Sequence, residues 1–273
     1  MKQLTLFTMA LAFVLTSFVS SAQEKKRDDI LSKHFKAVGQ EKLEDVETIK
    51  MMGSTQTQGR EFRFTMYLKE PDKVRNEVPM QGQKMIQAYD GENGWMLAPW
   101  ASPEPQDLSG EQLEQFKKSA NIRGDLHNWE EKGHELEYLG EDEMEGTPVY
   151  KLRLTKKDGD VIDYYLDKDS FIPLKQTTKT TINNQEIETE TFFSNYEMIN
   201  GIAMPMSMRS SGGQFSSEIT IDSIKFNVDI SDKLFKKPTA SKSDEKEEAD
   251  SSEEKGNKEI KNEKQKGDEK EEK

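Results

Sequence analysis

Residues 60 to 99 read REFRFTMYLKEPDKVRNEVPMQGQKMIQAYDGENGWMLAP. Phe62, Phe64, Met66 and Leu68 fall on alternate positions, the period of a strand with one apolar face. Pro71 and Asp72 make a turn, a second strand follows, and Asp90 to Gly94 turn the chain again. Trp95 and Leu97 are expected to continue the same apolar face. Strands are predicted over 61–69, 74–79, 83–90 and 94–98, joined as a meander. A sheet with this much aromatic and methionine surface must cover it. The functional question is whether the cover is a fixed core or an exchangeable ligand.

Strand rhythm resumes further along. Val149 to Leu154, Ile162 to Leu166, Ile172 to Thr181, Glu186 to Tyr196, Ile202 to Met208, Phe215 to Ile221 and Ile224 to Val228 are separated by Asp, Asn and Gly turns, Lys157-Asp158-Gly159 among them. Turn signals every 8 to 12 residues and about ten or eleven strands predict a large antiparallel sheet or open barrel. Two helices interrupt the pattern. Leu31, Phe35 and Val38 form a helical stripe within 26–38, and Gly39 ends it. Ser109 and Gln112 read as a capping box before Leu113, Phe116 and Ala120. This second helix is short and amphipathic, inserted between strands.

The two ends read differently. Lys2 followed by the apolar run Leu4 to Val19 and the small residues Ser20-Ser21-Ala22 reads as a signal peptide over 1–22, cleaved after Ala22. The competing reading is a membrane anchor, for which the run is short against the roughly 20 residues a bilayer requires. Residues 239–273 hold almost only Lys, Glu, Asp, Ser, Gly and Asn, the composition of a disordered charged tail. A folded domain is therefore expected over 23–238.

The chain has no cysteine, which excludes disulfides, thiolate metal sites, cysteine nucleophiles and a lipid-attached N-terminus. A net charge of −13 argues against nucleic acid as a partner. His34, His127 and His134 share no ligand spacing, so a structural role is favoured over a metal site. No serine sits in a nucleophile elbow and no glycine-rich loop opens a helix, so neither hydrolysis nor nucleotide binding is supported. Asp158, Asp160, Asp167 and Asp169 lack calcium-loop spacing and read as turn formers. An apolar cavity is the better candidate. Its expected lining is Phe62, Phe64, Met66, Leu68, Trp95, Leu97, Tyr150, Leu152, Tyr164 and Leu166, with Leu154 and Ile162 on the same face; Met204, Met206 and Met208 alternate on a later strand. Methionine adapts to irregular or exchangeable apolar partners. For any single residue, a place in a filled core is the simpler reading.

Lys69-Glu70-Pro71 with Arg75, the Asp90-Gly91 turn with Trp95 and Pro99, the Asp167 turn, Asn200-Gly201-Ile202 to Pro205, and Leu234-Phe235 to Pro238 occur in an order and spacing that resemble the outer-membrane lipoprotein-sorting (LolA-like) carrier family. The resemblance covers residues 27 to 238 and is strongest to the branch found in Bacteroidetes-type bacteria. It implies a mainly β (α+β) fold, an incomplete antiparallel β-barrel under a helical lid. It also implies a monomeric periplasmic chaperone of lipoprotein transport that is not an enzyme and uses no cofactor or metal. Its partners would be lipoprotein acyl chains or another lipid, an inner-membrane transporter and an outer-membrane receptor. Leu113 and Phe116 would belong to the lid. Where the family places a lid-latching arginine before the strand-ending proline, this chain has Glu70, and Arg75 is the candidate substitute. Two other readings stay open: a lipid-binding or stress-sensing envelope module of the same fold, and a structural envelope protein with a filled interior.

Overall fold

The alternation in β2 (Arg60–Lys69) pairs it with β1 (Thr48–Thr57), so that Leu68, Met66, Phe64 and Phe62 stand opposite Ile49, Met51, Gly53 and Thr55. From this pair the sheet grows in both directions. The computed structural model describes residues 21–182, 185–213 and 215–238. Most of the expected signal peptide and the whole charged tail lie outside the described residues.

On one side follow β3 (Lys73–Met80), β4 (Gln83–Tyr89), β5 (Gly94–Leu97) and the short β6 (Gln106–Asp107). On the other lie β13 (Phe215–Phe226), β12 (Ile202–Gly212), β11 (Gln185–Ile199), β10 (Pro173–Ile182), β9 (Val161–Asp167), β8 (Thr147–Thr155) and β7 (Glu135–Met144). The thirteen strands among the described residues form one antiparallel sheet whose end strands, β6 and β7, are not paired with each other there. The sheet is thus an unclosed barrel, as expected, with more strands than the turn spacing indicated. Among the described residues helices are few: α1 over residues 21–38, α2 (Gln40–Glu44) and α3 (Gly110–Lys117), the last continued by a 3-10 turn at Lys118–Ala120, and a second 3-10 turn at Asp232–Leu234.

α1 and the α3 segment pack their apolar side chains on one face, called here the inner face. Two buried clusters divide it. In the first, Ile30 and Leu31 of α1 lie on Leu136, Tyr150, Leu152, Leu154, Ile162, Tyr164 and Leu166 of β7 to β9. In the second, Ala120 and Ile122 after α3 lie on Ile49, Leu68, Val74, Tyr89, Ile202, Ile221 and Ile224. Two glycines make room for this packing. A Cβ on Gly53, at a bulge in β1, would lie 2.2 Å from the Thr220 carbonyl oxygen and 3.1 Å from the Phe64 ring. A Cβ on Gly94 would lie 2.4 Å from Leu113 Cδ1, so α3 sits directly on the strand there.

The outer face is held by charge and aromatic ladders. Lys151, Tyr165, Lys175, Phe192 and Arg209 are direct cross-strand neighbours from β8 to β12. Lys175 Nζ lies 5.1 Å from the Tyr165 ring centroid, and the Arg209 guanidinium 5.2 Å from that of Phe192. Beside this row Arg153 donates two hydrogen bonds to Asp163, at 2.7 and 2.8 Å. Burial pushes the Asp163 carboxyl up, but the Arg153 and Lys151 partners outweigh it and hold it below its ordinary value.

Candidate functional site

Phe62, Phe64, Met66 and Leu68 all face inward. One inner-face row runs Phe62, Thr55, Ile219, Met208, Phe193 across β2, β1, β13, β12 and β11. Phe64, Met66, Met204, Met206, Met208 and Ile219 pack against the second cluster yet stay half-buried. They form an apolar strip between the part of the sheet covered by α1 and the part covered by α3. Polar inner positions on β10 and β11, Gln176, Thr178 and Thr191, border it.

Tyr150, Leu152, Tyr164 and Leu166 also face inward, but Ile30 and Leu31 of α1 cover them, and Leu152 and Leu166 have no exposed surface. They belong to the packed end of the interior. The geometry corrects the expectation for Trp95 and Leu97. Tyr89 stands inward and pairs with Gly94, which takes the inner position of β5. Trp95 and Leu97 therefore point outward. A β-strand alternates strictly, so a turn length that changes the parity by one sends every later side chain to the opposite face. Trp95 is 1% exposed for another reason: the chain end returns across the outer face, and Trp95 Nε1 donates to the Phe235 carbonyl at 2.8 Å.

Arg75 is corrected likewise. It stands on the outer face beside Trp95 and donates to Glu77 at 2.8 Å and to the Leu234 carbonyl at 2.6 Å. It holds residues 229–238 rather than α3. Glu70 Oε2 lies 3.6 Å from Nη1 of Arg123, in the segment after α3.

Leu113 and Phe116 do pack on the second cluster from α3. Ser109 precedes α3 as the capping residue, but its side chain makes no capping hydrogen bond, and no residue of α3 is fully buried. The segment after it is held much more firmly. Lys118 Nζ lies 3.0 Å from Asp158 and 2.5 Å from Asp160. Arg123 also donates to the Glu44 carbonyl at 3.1 Å, and Gln40 donates back to the Arg123 carbonyl at 3.2 Å. Asp125 meets Lys156 at 3.3 Å. The cover thus has a loosely seated helix and a pinned base, with the change at Lys118.

A cavity of about 290 Å³ opens where the two clusters meet. His34 and Phe35 of α1, Gln40 and Leu43 of α2, residues 121–126, Tyr164 and Gln176 line it. The polar residues of this cavity escaped sequence reasoning. His34 had a signal, since it lies at helical spacing from Ile30 and Leu31 and shares their buried face. Its Nδ1 donates to the Phe171 carbonyl at 2.9 Å, and burial lowers its pKa from the ordinary 6.5. The sign follows directly. Above pH 6.5 the imidazole is neutral in both folded and unfolded chains. As pH falls below that value the unfolded chain takes up a proton that the buried ring resists, and stability is lost. The slope is at most about 1.4 kcal/mol per pH unit. His34→Asn keeps a donor for Phe171 and is expected to flatten this part of the stability–pH curve, measured by urea unfolding at several pH values. An unchanged difference between the two proteins across that range would contradict it.

The comparisons with known proteins agree with this architecture. A family model described as "Uncharacterized protein" matches residues 60–239, more than half of the chain. The chain belongs to that uncharacterized family. No curated protein matches it in sequence. Among solved structures, a DUF1329 family protein from Desulfovibrio piger superposes with a TM-score of 0.55 at 17% identity, covering 75% of this chain and 96% of that one. A LolA superfamily protein from Nitrosomonas europaea superposes with a TM-score of 0.54 at 18% identity, covering 77% of this chain and 97% of that one. At such identity the likeness is one of fold: an unclosed LolA-like barrel. It does not reach to a branch of the family. No helix among the described residues is long and apolar enough to cross a membrane.

Proposed function

We propose that this protein is a periplasmic carrier that takes acyl chains of lipoproteins into the inner-face strip and shields them from water during transfer to the outer membrane. The observation that carries the reading is the half-buried row of Phe and Met side chains from β2 to β12, left between two helical covers. Ile30 and Leu31 cover the first buried cluster, and Ala120 and Ile122 the second. The energetics suit reversible loading. Each methylene taken from water is worth about 0.8 kcal/mol, so one acyl chain gains several kcal/mol. Leu113 and Phe116 must leave the strip as the chain enters, which offsets part of that gain. The loosely held α3 can move while the pinned base at Lys118 to Asp125 keeps it attached. The Glu70–Arg123 pair joins the end of β2 to the segment after α3. No bond is made or broken in such a transfer, and the reading assigns the protein no catalytic step.

The test is native mass spectrometry of the protein taken from its own cell envelope. A bound acylated protein or its acyl-bearing fragment is the expected finding. A free small lipid instead would favour an envelope lipid-binding module and overturn the lipoprotein assignment. Failure to bind any fluorescent acyl probe in vitro would overturn the groove altogether.

A further inference from the structure

The cavity at the junction of the two clusters has a chemistry that the apolar strip lacks. Tyr164 rises from β9 into its floor, opposite Gln176 of β10. The residue is 8% exposed, and its hydroxyl makes no hydrogen bond among the described residues. Arg123, in the lining, uses its Nη atoms on Glu44 and Glu70, while its Nε is buried with no acceptor. Tyr164 thus brings to the cavity a hydroxyl with no partner among the described residues, whereas the Arg123 Nε is closed off from it. An acceptor that reaches this hydroxyl gains about 0.5–1.5 kcal/mol net.

The surroundings narrow the acceptor. Asp125 and Arg123 carry opposite charges in the same lining, and Lys156 and Asn121 already occupy the Asp125 carboxylate. The site therefore has little net charge to recruit an anion. Leu43 and Ile122 belong to the second cluster, and Leu126 and Tyr164 to the first. A group in the cavity is thus continuous with the apolar interior. We infer that this cavity receives a neutral carbonyl, the ester or amide linkage at the head of an acyl chain whose tail lies along the Phe and Met strip, with the Tyr164 hydroxyl as its donor. This rests on the carrier reading and adds to it a selection for acyl esters and amides over plain hydrocarbon. A linkage seated here fixes the depth to which the chain enters. Burial pushes the Tyr164 phenol well above its ordinary pKa, so it stays a donor at any physiological pH.

The experiment displaces a fluorescent acyl probe from the folded protein with methyl laurate or with tetradecane, a chain of equal length without oxygen. It compares the wild type with Tyr164→Phe, which keeps the ring in place. The variant is expected to bind methyl laurate roughly fivefold more weakly, the scale of one hydrogen bond, and tetradecane unchanged. Equal ester affinity in wild type and Tyr164→Phe, with tetradecane still binding, would overturn this inference and leave the carrier reading intact. A strong preference for the laurate anion over its methyl ester would overturn the neutral-carbonyl assignment. Displacement by neither ligand would overturn both readings together.

Discussion

Trp95→Ala is expected to destabilise the protein by about 3–5 kcal/mol, the usual cost of emptying a fully buried large aromatic site. In a domain of this size that is a fall of roughly 10 °C in the thermal midpoint. The effect comes from the outer face. Residues 229–238 return along β2 to β5 and are held at several points. Ile230 is buried, and its carbonyl accepts from Lys69 at 2.8 Å. Asp232 meets Lys69 at 2.8 Å and Lys73 at 3.1 Å. Phe235 has no exposed surface and hands its carbonyl to Trp95. The ion pairs are mostly exposed and contribute little each. The anchoring is therefore concentrated in Trp95 and Phe235. Thermal unfolding followed by circular dichroism checks this, and Trp95→Phe should recover more than half of the loss. Lipid binding separates this from a site role. If Trp95 lined the acyl groove, the alanine variant would change probe affinity even at temperatures where it is folded. From its outward position it should leave that affinity as it is.

The contrast between Trp95 and Phe64 shows how far the chain could be read from its letters. Alternation within β2 is local, and it placed Phe62, Phe64, Met66 and Leu68 on one face correctly. Carrying that face from Leu68 to Trp95 requires the parity of three turns and of every strand between, and a single residue in the Asp90 to Gly94 turn reverses it. The same limit applies to Tyr150, Leu152, Tyr164 and Leu166. Their common face was legible, because Ile162, Tyr164 and Leu166 alternate. Their coverage by Ile30 and Leu31 was not, because it depends on where α1 docks more than a hundred residues away in sequence. Glu70 and Arg123 pose the problem in its sharpest form. Each is an ordinary surface residue by composition, and only the fold brings them within 3.6 Å.

The face assignment yields the largest effect on binding. Met208→Glu places a carboxylate in the middle of the inner row, between Ile219 and Phe193. An acyl chain would have to desolvate that charge with no partner beside it, at a cost of several kcal/mol. Affinity for a neutral fluorescent acyl probe is expected to fall on the order of a hundredfold or more. Met208 is half-buried, so the glutamate can reach water when the groove is empty and the variant should still fold. Met208→Lys should act alike, which separates a desolvation effect from attraction or repulsion of the probe. Leu97→Glu supplies the control. Leu97 is opposed by Ile86 on the outer face, next to the position of Glu77, where a new carboxylate meets solvent and the ammonium of Lys84 rather than a lipid. Its probe affinity should match the wild type. Loss of binding in Leu97→Glu with retention in both Met208 variants would reverse the two faces, and with them the location of the groove. The opposite pattern fixes the acyl chain to the side of the sheet where α1 and α3 leave methionine and phenylalanine only half covered.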